Sequence, residues 1–187
     1  LQTVHYPITT DLPTHSSTIA HHAKILRVWT VNADNDTVTA MHTGRRQKLL
    51  EVEVGDHPRT IAVAPDDRIW VVCEGDATVR ILDPNSGAIS RTIPLPVGSA
   101  PYGLAFSPDG WFAYVTLRAP GEVAQIEVAS RRLIATAVVG PDPKGIAIAA
   151  DSQRIFVTRF RSSSQVADAR GDQTDERPLP NAEVYEL

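Results

Sequence analysis

The sequence predicts an all-β chain, a β-propeller of four-stranded antiparallel blades, with about four repeats present as a partial propeller or open arc. Three observations predict it. A strand-like segment recurs four times at nearly constant spacing, turn-forming residues fall between the recurring segments, and no long window carries the 3.6-residue apolar period of a helix.

The first recurring segment reads Ser17-Thr18-Ile19-Ala20, Arg59-Thr60-Ile61-Ala62-Val63, Tyr102-Gly103-Leu104-Ala105-Phe106 and Lys144-Gly145-Ile146-Ala147-Ile148. Its apolar centre, Ile19, Ile61, Leu104 and Ile146, repeats after 42, 43 and 42 residues. The second segment carries an aromatic residue, Trp29, Trp70, Tyr114 and Phe156, repeating after 41, 44 and 42 residues. Rings at that place are expected to fill the space between neighbouring blades. The third segment opens at Thr37-Val38, Thr78-Val79, Glu122-Val123 and Glu183-Val184. A fourth closes three of the repeats, ending at Gly55, Gly98 and Gly140, with Pro58, Pro101 and Pro143 three residues beyond. Four strands in roughly 42 residues describe one propeller blade.

Turn chemistry agrees with the period. Pro65-Asp66-Asp67 and Ser107-Pro108-Asp109-Gly110 join first to second strands, and Asp83-Pro84-Asn85-Ser86-Gly87 joins third to fourth. Proline presets φ, while Asp and Gly accept the conformations that follow. The first unit has His21-His22-Ala23-Lys24 where such a turn is expected. The blades are therefore drawn at 17–55, 58–98, 101–140 and 143–187, preceded by a lead-in over 1–16. The last blade stops after its third strand. Either the chain is a piece of a larger propeller, or Leu1 to Leu12 supplies the missing outer strand and closes a ring, although Pro7 weakens that strand.

Composition limits function before any motif is considered. The 187 residues, 42% apolar and 21% charged, suit one soluble domain, and the net charge of −4 lacks the clustered positive charge that a nucleic-acid grip needs. No apolar run is long enough to span a membrane, and no basic, then apolar, signal opens the chain. The first residue is Leu1 rather than Met, as in a processed or excised product, so location has to be inferred indirectly. Cys73 stands alone, which excludes an internal disulfide, a multi-thiolate zinc site and haem attachment; a lone thiol of this kind is expected in the core.

Pro101-Tyr102-Gly103-Leu104-Ala105-Phe106-Ser107-Pro108-Asp109-Gly110 followed by Ala113-Tyr114-Val115-Thr116 resembles the bacterial and archaeal YVTN-type β-propeller repeat. The likeness covers about residues 17 to 187, with Cys73 standing where that repeat usually has Asn. The resemblance implies a seven-bladed parent, export to the periplasm, cell surface or medium, and in some members association with cytochrome or quinoprotein-like redox components.

In such a fold the loops entering the first strands and those joining second to third strands share one face, where binding residues concentrate on a rigid scaffold. The entry loops give His57, Arg59, Tyr102, Asp142 and Lys144; the others give Asn32, Asp34, Asp36, Glu74, Asp76, Arg118, Arg159 and Arg161. The candidate ligand-binding set is His57, Arg59, Tyr102, Lys144, Glu74, Arg118, Arg159 and Arg161. The spacing between third strands grows to 61 residues across 161–181, a polar insertion that reads as a lid or docking arm, or as a tolerated surface loop. Arg170-Gly171-Asp172 within it spells an adhesion tripeptide, a weak signal.

Chemistry-bearing motifs are sparse. Asn32-Ala33-Asp34-Asn35-Asp36 alternates oxygen ligands as a calcium loop does, yet the required glycine and the twelfth-position acid, here Thr43, are missing. Asn35-Asp36-Thr37 matches a glycosylation acceptor. His21 and His22 are neighbours in a strand, so they point to opposite faces and chelate poorly. Thr60, Gly103 and Gly145 open the inner strands, where a propeller enzyme needs convergent polar groups. No nucleophile and base pair, cofactor or metal set is expected. The reading is a non-catalytic binding scaffold for a protein, glycan or redox partner, without nucleic acid or a membrane span, able to associate through its uncapped end blades. The alternative is part of an enzyme, either a lactonase-like hydrolase with a metal on carboxylates such as Asp34, Asp36 and Glu74, or a quinoprotein-like dehydrogenase component.

Overall fold

The computed structural model describes residues 13–159 and the backbone of 182–186. Leu1 to Leu12, Arg161, the insertion over 161–181 and its Arg170-Gly171-Asp172 tripeptide lie outside the described residues.

Four antiparallel sheets follow one another along the chain. The first holds β1 (Ile19–His22), β2 (Arg27–Asn32), β3 (Thr37–His42) and β4 (Gln47–Glu53). The second holds β5 (Pro58–Val63), β6 (Ile69–Cys73), β7 (Thr78–Leu82) and β8 (Ile89–Pro94). The third holds β9 (Pro101–Phe106), β10 (Phe112–Leu117), β11 (Glu122–Glu127) and β12 (Arg132–Val138). The last holds β13 (Pro143–Ile148), β14 (Arg154–Arg159) and β15 (Ala182–Glu186). Each sheet is an up-and-down meander in chain order, so local hairpins build every blade. No helix among the described residues is long and apolar enough to cross a membrane.

Burial explains the sequence of each strand. The second strands of the two inner blades, β6 and β10, are covered on both faces, and all of Ile69-Trp70-Val71-Val72-Cys73 is buried. Outer strands meet water on most of their surface, and Arg132–Val138 is largely exposed. The proline, Asp and Gly turns behave as their chemistry requires, with Asp67, Gly87 and Gly110 all at positive φ. The first blade solves its turn differently: a 3-10 turn over Ala23–Ile25 ends on Leu26 in the left-handed region. His22 is buried and donates from Nε2 to the Asp67 carbonyl at 3.1 Å, while His21 faces solvent, so the pair indeed points two ways.

The aromatic column joins blades. Trp29 packs with Ile61, Ile69 and Val71 of the second blade, Trp70 with Phe106 of the third, and Tyr114 with Ile146, Ile148 and Val157 of the fourth. The Trp70 and Phe106 rings meet edge to face, with centroids 5.2 Å apart at 76°. The Tyr114 hydroxyl accepts from Gln125 Nε2 at 3.0 Å, and burial pushes its pKa up.

Inner strands pack in order, β1 on β5, β5 on β9 and β9 on β13; among the described residues β13 makes no comparable packing with β1, so the blades form an open arc. The lead-in is placed by the free edge of β13. Ile148 donates to Thr14 O at 2.8 Å, Ser16 donates to Ile146 O at 2.8 Å, and His15 bridges Ala147. Further along, Phe106 donates to Pro13 O and Ile61 to Ser17 O. The described end of the lead-in thus satisfies inner-strand donors at the hub; the segment over 1–12, expected as an outer strand, lies outside the described residues.

Cys73 is fully buried, as expected, and desolvation first, then the nearby Asp76 charge, pushes its pKa from 9.0 to about 12. Folding favours the protonated thiol, so its contribution is complete below pH about 9 and is lost as pH rises towards about 12. A maleimide or disulfide probe is expected to label native protein at the rate of blade opening and unfolded protein at once. Rapid stoichiometric labelling under native conditions would contradict this burial.

Candidate functional site

The mouth of the arc is shaped by its backbone. His57, Ala100 and Asp142, each directly before the first proline of an inner strand, adopt left-handed φ of 50°, 49° and 51°. Immediately after them the pairing slips, between Pro58 and Thr60, between Val115 and Leu117 opposite β9, and between Pro143 and Ile146. Such bulges re-aim side chains at the end of a strand. The turned carbonyls are used: Glu74 N–H donates to His57 O at 3.0 Å and Arg118 N–H to Ala100 O at 3.1 Å. Entry loops and second-to-third-strand loops are thereby tied into one face.

On that face, five of the predicted residues converge with Asp142. Glu74 accepts from Arg59 Nε through one oxygen and from Arg118 through the other. Arg118 Nε donates to Asp142 Oδ1 at 2.7 Å. At the centre is the Tyr102 ring, with Arg59 Cζ at 5.7 Å, Arg118 Cζ at 5.6 Å and Lys144 Nζ at 5.6 Å from its centroid. Charged pairs of this kind are strong because Glu74 and Asp142 expose only 13% and 16% of their side chains. The Asp142 hydrogen bond raises the Arg118 pKa above its ordinary value, so this guanidinium is a permanent charge. Three cations thus gather on one ring, and the two guanidinium groups among them are held by the two carboxylates.

The spacing of these groups is set by residues that sequence reasoning missed as such. Thr116, fully buried, accepts from Gly103 N–H at 2.7 Å and donates to Lys144 O at 2.8 Å, pegging β9 to β13. Thr60 donates to Tyr102 O at 2.6 Å across the previous boundary. Gly103 leaves no space for a side chain, since a Cβ there would lie 2.3 Å from Lys144 O. The recurrence of Thr at 116 and 158 at the end of the aromatic segment was the available signal; Thr158 Oγ1 accepts from Gly145 N–H at 2.9 Å in the same manner.

Other predicted residues go elsewhere. His57 belongs to the boundary of the first two blades, where its N–H donates to Asp36 Oδ1 at 2.8 Å and its ring contacts Asp56. The ligand atoms of Asp36, Asp56 and His57 lie within 4.8 Å of one another on the open surface. Asp34, Asp36 and Glu74 do not gather into a metal set, because Glu74 is held by its two arginines. The 33–35 segment is a 3-10 turn that ends on Asp36, unlike a calcium loop. Asp76 pairs with Arg80 at 2.6 Å. Arg159 lies against Gly140, and Asn32 bonds Thr37 and Thr39 within its own blade. Two open recesses flank the mouth. One of about 540 Å³ between the third and fourth blades is bordered by Arg118, Pro120, Gly121, Gly140 and Asp142, and one of about 570 Å³ lies beside Asp36, Asp56 and Ile89.

With the arc and its mouth defined, the chain is placed among proteins built from propeller blades. No protein-family profile matches it. It is 26% identical over 161 residues to the uncharacterized protein YncE of Salmonella typhimurium, an alignment covering 82% of this chain and 44% of that protein. Among solved structures it resembles hydrazine synthase of Kuenenia stuttgartiensis, with TM-score 0.69 and 24% identity over 82% of this chain and 47% of that one. It also resembles virginiamycin B lyase of Staphylococcus aureus, with TM-score 0.66 and 14% identity over 92% of this chain and 55% of that one. At these identities the solved structures establish the fold alone. The chain spans less than half the length of the curated relatives it matches.

Proposed function

We propose that this chain is a binding module whose loop-bearing face takes an acidic partner, a carboxylate- or phosphate-bearing segment of a protein or glycan, at Tyr102. The observation that carries the reading is the gathering of Arg59, Arg118 and Lys144 around one tyrosine ring at the mouth of the arc. An incoming carboxylate gains charge-assisted hydrogen bonds from groups already held in place, which limits the entropy lost on binding. The binding reading is favoured over a hydrolase because both carboxylates of the cluster are taken up by guanidinium groups. Export from the cytoplasm belongs to the same reading, supported by the repeat resemblance.

Titration with citrate and separately with inorganic phosphate, followed by amide chemical shifts, tests it. Both probes are expected to move the Tyr102, Arg118 and Lys144 amides, neutral trehalose to leave them in place, and Lys144→Ala to weaken binding about tenfold, close to 1.4 kcal/mol. Shifts scattered over other faces, or an unchanged affinity in Lys144→Ala, would remove the proposal.

A further inference from the structure

The turns that join first to second and third to fourth strands lie on the face opposite the Tyr102 mouth, because successive strands of each meander reverse direction. One of them carries an indole in water. Trp29 and Trp70 are wholly buried, whereas Trp111 is 66% exposed. Its backbone is nonetheless held on both sides: its N–H donates to Asp109 Oδ1 at 3.0 Å, and its carbonyl accepts from Val128 N–H at 2.9 Å. The turn itself closes through Ser107 N–H to Phe112 O at 2.8 Å and Gly110 N–H to Ser107 O at 2.9 Å, without using the indole. The equivalent turn of the second blade manages with one residue fewer, 64–68 against 107–112, so closure does not require a residue at this place.

Beside the indole is a recess of about 260 Å³ between the second and third blades, bordered by Pro65, Asp66, Asp109, Gly110 and Val128. The first and fourth blades already flank this pair, so the recess is not one of the ends of the arc. Its two carboxylates are fixed. Asp66 accepts from Arg131 Nη2 of the third blade at 3.1 Å and from Arg68 N–H at 3.2 Å. Asp109 accepts from the Ser107 hydroxyl at 2.5 Å and from Trp111 N–H. A carboxylate has about four acceptor positions, so each keeps capacity for an incoming hydroxyl. A rigid flat ring and oriented acceptors are thus in place before any ligand arrives.

We infer that Trp111 is the platform of a second binding site, one that takes an uncharged sugar ring of a glycan. A pyranose presents a face of C–H bonds with partial positive charge, which suits the negative face of an indole. Its edge carries hydroxyls that donate to Asp66 and Asp109 and accept from Arg131. The recess is smaller than the about 300–1,000 Å³ usual for drug-sized ligands, which matches one ring. The carboxylates also select against other occupants. A phosphate or carboxylate group is repelled by them, and an apolar peptide segment would cover them without offering a donor, at a desolvation cost. The preference is therefore opposite to the one proposed at Tyr102, and the two sites stand or fall separately.

The three indole N–H signals of the 187-residue chain, followed by NMR during titration with cellotriose, maltotriose and chitotriose, test the inference. At least one of these neutral sugars is expected to move the Trp111 indole and the Val128 and Ala129 amides at millimolar concentration, with Trp29 and Trp70 unmoved. Trp111→Ala is expected to weaken that binding about tenfold, and Trp111→Phe, which keeps a flat ring, to weaken it less. Both variants keep the far-ultraviolet dichroism and unfolding midpoint of the unaltered chain, because the side chain is exposed. Acrylamide is expected to quench most of the accessible tryptophan emission in the unaltered chain and little in Trp111→Ala. A Trp111 indole that none of the three sugars moves up to tens of millimolar, sugar binding that survives in Trp111→Ala, or emission closed to acrylamide would overturn it. So would an indole that answers to a proline-rich peptide and to no sugar, which would assign the platform to a protein partner.

Discussion

Trp70→Ala is expected to lower the stability of the arc by about 3–5 kcal/mol, the range for deleting a large buried ring whose surroundings relax only in part. The ring is wholly buried and stands edge to face on Phe106, within a cluster that includes Leu104, Val115 and Leu117 of the neighbouring blade. The loss therefore falls on the contact between two blades and not on one hairpin. At about 2–4 °C per kcal/mol for a chain of this size, the unfolding midpoint drops by roughly 10 °C. Two controls sharpen the result. Phe156→Ala, in the equivalent but 37% exposed place, is expected to cost well under half as much. Trp70→Phe is expected to cost much less than Trp70→Ala, because the Trp70 indole N–H is buried without a hydrogen-bond partner among the described residues, and removing it relieves an unsatisfied donor. Equal losses for Trp70→Ala and Phe156→Ala in denaturant titrations would contradict the asymmetry between inner and end blades.

Gly103→Ala has the next largest effect, through overpacking. The added methyl would stand 2.3 Å from Lys144 O, 3.1 Å from Thr116 Oγ1 and 3.2 Å from Ile146 Cγ2. The first of these is backbone and has no rotamer to change, so β13 has to move away from β9. That movement stretches the Thr116 to Lys144 O hydrogen bond and separates Lys144 from the Tyr102 ring. A cost of about 3 kcal/mol is expected, at the upper end for overpacked sites, with weakened citrate binding in whatever fraction stays folded. Gly98→Ala makes the comparison: its Cβ meets nothing within 4 Å, and only the positive φ of 73° is strained, at about 1–2 kcal/mol. Equal costs at the two glycines, measured by thermal unfolding, would mean that the approach of β9 to β13 does not set the spacing.

The blades were legible in the sequence because a period survives any uncertainty about individual strands. Ile19, Ile61, Leu104 and Ile146 do occupy one place in four inner strands, and the proline beginning each entry marks where β5, β9 and β13 start. The face was legible for the same reason, since loop positions follow once the strands are ordered. Pairing on that face was not. Arg59, Glu74, Arg118 and Asp142 come from loops of three different repeats, and sequence spacing carries no record of which guanidinium reaches which carboxylate. His57 stood beside Arg59 in the sequence reading, yet it turns to the other boundary because its N–H is claimed by Asp36. In the sequence Gly103 shows only as a missing polar group, although its lack of a side chain is what lets the inner strands approach. Thr116 shows in the sequence only as part of a strand, although its hydroxyl links two blades. The lead-in was the least legible part, because hydrogen bonds of a backbone to the free edge of β13 leave no mark on side-chain pattern.

A nuclear Overhauser spectrum of the aromatic protons tests most directly the claim that each blade leans its aromatic ring on the next. The account predicts strong cross-peaks between the Trp70 indole and the Phe106 ring, two side chains 36 positions apart whose centroids stand 5.2 Å from each other. Cross-peaks from Trp70 confined to residues 58–94, with none to Phe106, would contradict it.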